Sequence, residues 1–347
     1  MSDLQKIALQ ATKDILEKNL QIYHPDIIGK KVVLIYDCES ELSTLMAEGY
    51  IENLKKYPNA EILKYSDFTG EELKEKILSL EEYATVIMVE STNFRLEEFR
   101  IRMSLQHRNI AGIEHNHLTY IKKEQIQTYL ECVSYQSDYF QIVSDFLKQK
   151  NDTGSVMKIV SPEWAVLLLE GGFEDMKQNT GNFALNNRYG TYPIGENFSE
   201  AKDFSKVNGE MYIRAYPGEN LEMVFSEVPF KVTVKESMIS ADAQTTPESF
   251  LKLMEKIQNG ENGEVMMREL GFWLNRAITR EKTLTDVNQF ERISGFHLSL
   301  GKKHNIYRKK LHKDVVQRYH IDIFPNVAQI FIDEELIFES EKHFLVV

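Results

Sequence analysis

At 347 residues the chain exceeds one ordinary domain and points to two. Its 42% apolar and 27% charged composition, with 17 Gly and 8 Pro, excludes a disordered, collagenous or low-complexity polymer. An excess of 53 Asp+Glu over 41 Lys+Arg (net −12) argues against wrapping nucleic acid, and two cysteines, Cys38 and Cys132, build neither a disulfide framework nor a four-thiolate zinc site. A reducing cytoplasm fits that cysteine usage.

The first residues lack an apolar signal core and instead place Leu4, Ile7, Ala8, Ala11, Ile15, Leu16 and Leu20 at helical spacing. No apolar run is long enough to cross a bilayer. Next comes a buried strand at 31–37, a helix at 41–57 and a strand at 61–65. A helix at 70–80, a strand at 85–90, a helix near 95–105, a strand at 109–113 and one long helix at 123–148 complete the first half. This alternation predicts a parallel sheet with helices on both faces, a Rossmann-like α/β domain over 1–152. It lacks a dinucleotide fingerprint, because the first strand runs into Asp37-Cys38-Glu39-Ser40 with no glycine where a pyrophosphate needs close backbone approach.

The polar stretch 148–155 marks the boundary, and an α+β, β-rich domain is expected over 153–347. Short strands are predicted at 156–160, 210–214, 221–224 and 231–234, with a helix at 247–258 and a closing hairpin at 329–338 turned at 333–335.

The chemistry concentrates in that second half. His320-Ile321-Asp322 on a strand points an imidazole and a carboxylate to one face. Alone, such a pair is more often a hydrogen-bonded surface feature. His297 lies in an alternating strand bounded by Gly295 and Gly301, opposite in direction to Phe296 and Leu298; a satisfied core histidine is the blander reading. Glu269 stands before what reads as a glycine turn at Gly271, amid apolar neighbours that demand a cation, a network or a proton. Glu196 follows a Pro/Gly turn. Two Glu, two His and one Asp make an oxygen and nitrogen donor set suited to Zn²⁺, Mn²⁺, Co²⁺ or Fe²⁺, with room for two ions bridged by a carboxylate.

The order of these elements resembles a known family. Pro-x-Gly-Glu at 193–196, Val207-Asn208-Gly209, Glu-Leu-Gly at 269–271 with Asn275, Gly-x-His-x-x-Leu-Gly at 295–301 and His-x-Asp at 320–322 are similar to peptidase family M29, the thermophilic metalloaminopeptidases of aminopeptidase T and S type. The resemblance covers most of 185–340. It implies two divalent metals (Zn, Co or Mn) held by Glu196, Glu269, His297, His320 and Asp322. These would activate water against a peptide or small amide, with Glu196 or Glu269 carrying the proton. It also implies a homodimer. His304 occupies the position of the family's tyrosine, with Tyr307 three further on, and enters the candidate catalytic set there. Trp273 and Leu274 stand in place of the family's glycine-rich run, and the segment between His297 and His320 is rich in Lys and Arg.

A second group on the same scaffold, the 2,5-dihydroxypyridine dioxygenases, uses one Fe(II) to open an aromatic ring. There His304 would join His320 and Asp322 as a two-histidine, one-carboxylate set. A third expectation is a degenerate, non-catalytic binding protein. Glu114-His115-Asn116-His117, after the fourth strand, is a further histidine cluster whose plainer reading is a loop cap or helix entry, and Cys38 has no evident His partner.

Overall fold

The structure, a computed structural model, describes all residues except 184–187, 220–221, 262, 280–281, 287–289, 291, 293, 302–305, 308–318, 341 and 346–347. The chain opens with α1 (Asp3–Asp14), started by a capping box in which Ser2 and Gln5 satisfy each other's backbone donors. Its end loosens into a π turn at Ile15–Asn19. There follow β1 (Val32–Tyr36), α2 (Glu41–Leu54), β2 (Ala60–Lys64), α3 (Gly70–Leu78), β3 (Thr85–Val89), α4 (Ile101–His107), β4 (Ala111–His115), α5 (Ile126–Val133) and α6 (Ser137–Thr153). The remainder comprises β5 (Val156–Val160), β6 (Val166–Glu170), β7 (Lys177–Asn179), β8 (Tyr189–Thr191), β9 (Glu196–Glu200), β10 (Val207–Pro217), β11 (Met223–Lys235), β12 (Met238–Ala241), α7 (Glu248–Gly260), β13 (Met267–Trp273), β14 (Gly295–Gly301), β15 (His320–Pro325), β16 (Gln329–Ile332), β17 (Glu335–Glu339) and β18 (His343–Phe344).

Two compact units emerge, and their boundary is interleaved rather than one cut between 152 and 153. The first comprises Met1–Asp138, Asn179–Gly195 and Asn275–Leu284; the second comprises Tyr139–Gln178, Glu196–Leu274 and Thr285–Val347. Among the described residues no helix is long and apolar enough to cross a membrane.

The first unit carries a five-stranded sheet, order β2-β1-β3-β4-β8, with all its pairings parallel. Strand alternation sends Val33, Ile35, Val86 and Met88 to one face, where Leu73 and Ile77 of α3 and Leu105 of α4 bury them. On the other face His115 meets Tyr50 of α2 and Tyr129 of α5. Helices therefore cover both faces, as a fully apolar β1 requires. The single helix expected over 123–148 is two helices, α5 and α6, broken at 134–136. The Ser134 hydroxyl there donates to Asp14 instead of lying in a helix.

The second unit is built on antiparallel pairings in a thirteen-stranded sheet that runs β18-β17-β16-β5-β6-β10-β15-β14-β13-β9-β7, with β11 and β12 branching from β10. Residue 221 lies outside the described residues, while 223–224 and 231–234, from two stretches expected to be separate strands, belong to one strand, β11. Its register against β10 breaks between Ile213 and Ala215, and this irregularity accommodates Pro229, which has no ladder donor. The β16–β17 hairpin turns through Asp333 and Glu334, both with positive φ (47° and 69°), the handedness that a tight two-residue hairpin demands.

Candidate metal centre

Four neighbouring strands of the second unit, in the order β9-β13-β14-β15, compose the site. Their register pairs Glu196 with Trp273, Glu200 with Glu269, His297 with Gly271, Ser299 with Asp322, and His320 with Gly301. Because side chains alternate along a strand and cross-strand partners share a face, Glu196, Glu269, His297, His320 and Asp322 all rise from one face. All five expected metal-ligand positions converge there. They form two overlapping triads, Glu196–Glu269–His297 and Glu269–His320–Asp322, each with its donor atoms within 4.8 Å of one another.

The individual distances are compatible with shared ions. His297 Nε2 lies 3.5 Å from Glu196 Oε1 and 3.8 Å from Glu269 Oε1, and His320 Nε2 lies 3.8 Å from Glu269 Oε1 and 3.5 Å from Asp322 Oδ1. Ligands bound at about 2.0–2.2 Å to one ion stand at most about 4.4 Å apart. Glu269 is common to both triads.

Burial grades across the site. The side chains of His297 and Glu269 are 1% and 4% exposed, Asp322 13%, Glu196 18% and His320 38%. Both ring nitrogens of His297 and Oε2 of Glu269 are buried with no hydrogen-bond partner among the described residues. Orphaned donors and acceptors at such depth are costly, and three carboxylates crowded beside them raise that cost. Burial pushes the Glu196 and Glu269 carboxyl groups well above the ordinary range; neighbouring carboxylates add to this, and the facing histidines oppose it. Divalent cations would remove both penalties at once, so the donor set fits such ions.

Gly271 is not in a turn, as its sequence neighbourhood implies, but in the middle of β13. A Cβ there would lie 1.8 Å from His297 Cε1, so the missing side chain is the space the imidazole occupies. Trp273, at the end of the same strand, stacks on His297 with ring centroids 6.2 Å apart. Ser299 is a contributor that sequence reading missed. Its hydroxyl donates to Asp322 Oδ1 and lies 3.3 Å from His320 Nε2. Its place two residues after His297 on an alternating strand was the available signal.

His304 and the Lys- and Arg-rich positions around it lie outside the described residues. Tyr307 is buried and donates its hydroxyl to the Asp175 carbonyl at 2.7 Å. In the first unit, His115 is a core residue. Its Nε2 and Nδ1 meet Tyr50 and Tyr129 hydroxyls at 2.8 and 3.0 Å, and burial lowers its pKa to about 3. Cys38 is exposed at the end of β1, while the adjacent Asp37 accepts from the Ser91 backbone and hydroxyl at 2.8 and 2.6 Å.

No protein-family model and no curated protein matches the sequence. Among solved structures, the chain is similar to 2,5-dihydroxypyridine dioxygenase from Pseudomonas putida KT2440, with a TM-score of 0.62 and 11% identity over 95% of each chain. It is also similar to wild-type AmpT from Thermus thermophilus, with a TM-score of 0.58 and 10% identity over 99% of each chain. The chain therefore has the mixed α/β fold found in both proteins, and two groups of its residues have the chemistry to hold metal.

Proposed function

We propose that the protein is a metal-dependent hydrolase of aminopeptidase type, acting on a peptide or small amide with a free amino terminus. The observation that carries this reading is the sharing of buried Glu269 between two triads, the arrangement a pair of ions with one carboxylate in common would need. The fold likeness to AmpT, an aminopeptidase, supports it. Glu196, Glu269 and His297 would hold one ion, and Glu269, His320 and Asp322 the other. Bound there, divalent cations supply Lewis acidity that makes water more acidic and polarises a carbonyl.

The chain's own groups divide the remaining work by exposure. Glu269, nearly buried and committed to both triads, holds its position. Glu196 belongs to one triad and keeps 18% exposure, so its carboxylate takes and returns the proton. The exposed imidazole of His320 marks the side from which substrate enters. Ser299 fixes Asp322 and His320 in the orientation ligation requires.

A second reading is favoured by the fold likeness to the dioxygenase and by the second triad, which is complete without Glu196 or His297. There a single Fe(II) would serve aromatic ring opening. Metal analysis of protein purified without chelator separates the readings. About two Zn, Mn or Co per chain, with release of p-nitroaniline from amino-acid p-nitroanilides, is the expected result. One iron per chain with oxygen uptake on 2,5-dihydroxypyridine would replace the hydrolase reading with the second. No bound metal would end both.

A further inference from the structure

Beside the candidate ligands stand two residues that belong to neither triad. Trp273 is 3% exposed and directly opposite Glu196 in the β9–β13 ladder, and its indole Nε1 is buried with no hydrogen-bond partner among the described residues. Arg292, 8% exposed, lies over the indole with Cζ 4.9 Å from the ring centroid. Its charge lies within electrostatic range of Glu196. Arg292, Trp273 and His297 thus form a stacked series leading to the metal ligands, in steps of 4.9 and 6.2 Å.

Resting on the hydrolase reading above, we propose that Trp273 and Arg292 form a carboxylate subsite. It makes the preferred substrate one with a carboxylate on the residue that follows the scissile bond. Stacking occupies the face of a guanidinium and leaves its edge, a fork matched to a carboxylate. Arg292 has at least one further interaction in the folded chain, and a ligand carboxylate would share its five N–H donors with it. The orphan indole N–H supplies a neighbouring donor whose burial is costly until an acceptor arrives. Two extended residues span about 7 Å, and Trp273 stands directly across the ladder from Glu196, so the pair lies beside the candidate ligands. A dipeptide held by its amine and scissile carbonyl at the ligands brings its own terminus to this pair.

The test uses zinc-loaded full-length protein and three substrates: Leu-Gly, Leu-Gly amide and Leu-Glu amide. The expected wild-type kcat/KM is about tenfold or more higher for Leu-Gly than for its amide, the range for one charged hydrogen-bonded contact, and the difference resides in KM. Arg292→Gln should bring the ratio to within about twofold, and Arg292→Lys should retain an intermediate preference. A preference confined to Leu-Glu amide identifies a side-chain carboxylate as the source and still supports the subsite. Equal turnover of all three substrates overturns the subsite and leaves the hydrolase reading standing.

A binding measurement decides the matter without turnover. The chain has two tryptophans, and Trp164 is 87% exposed, so Trp164→Phe leaves Trp273 as the sole reporter. Titration with a non-cleavable reduced-bond analogue of Leu-Gly and with its amide should show tighter binding of the acid, lost in Arg292→Gln. Cleavage of none of the substrates ends the hydrolase reading alone. Equal affinity for acid and amide, or a preference that survives in a folded Arg292→Gln variant, overturns the subsite. Arg292→Lys supplies the comparison if the Gln variant does not fold.

Discussion

Gly271 governs the placement of His297 by having no side chain, since the imidazole fills the volume a Cβ would take. Gly271→Ala should therefore push the imidazole away from Glu196 and Glu269. The expected outcome is metal affinity weaker by about 10–100-fold, as for other residues that orient ligands, with the fold retained. Metal content after dialysis, compared with circular dichroism, checks this, and full metal retention would remove His297 from the ligand set. The convergence of the five candidate positions on one sheet face was legible in the sequence, because strand alternation and the order of their motifs are both written in residue types. Gly271 was not legible. A glycine after Glu-Leu has the same letters whether it turns a chain or clears space beside a neighbouring strand, and only the register with His297 distinguishes the two. Trp273 was legible as a bulky intrusion, but its stacking with Arg292 depends on chain segments brought together by the fold.

At the scale of elements, buried apolar runs such as β1 and β3 were readable because every residue in them is largely enclosed. The break between α5 and α6 was hidden by periodicity. Val133 and Phe140 are both buried and seven residues apart, two helical turns, so the apolar stripe reads as continuous across the interruption. The sequence carried a competing signal in Ser137 and Asp138, which open α6. The β16–β17 hairpin was legible, but its anchoring was not. The Asp333 carboxylate accepts from the Ser155 backbone at 3.0 Å and from Val156 at 2.9 Å, fixing the hairpin turn to the start of β5. Asp333→Ala should lower stability by about 1–3 kcal/mol, since hydrogen bonds to a charged acceptor are lost together. An unchanged urea midpoint would show that the anchor contributes nothing.

For the whole molecule, the crowded carboxylates predict a stability that depends on pH and on added metal. In metal-free protein burial raises the Glu196 and Glu269 pKa values to about 8, against about 4.3 for an exposed glutamate. Between those values the folded chain holds more protons than the unfolded chain, so its stability falls as pH rises. The Tm of metal-free protein should drop between about pH 5 and pH 8, on the order of 5 °C. Added zinc should restore it, with a gain that grows with pH, because bound cation stabilises the folded state and favours deprotonated ligands. Scanning calorimetry at several pH values checks both slopes, and a pH-independent Tm contradicts the carboxylate account. The interleaved boundary bears on a different process, the birth of the chain. The parallel sheet is unfinished when the first 138 residues leave the ribosome, because β8 must still arrive from 179–195 to cover the outer edge of β4, and 275–284 comes later still. A nascent chain must therefore keep that open strand from pairing elsewhere while the Tyr139–Gln178 segment of the second unit is translated.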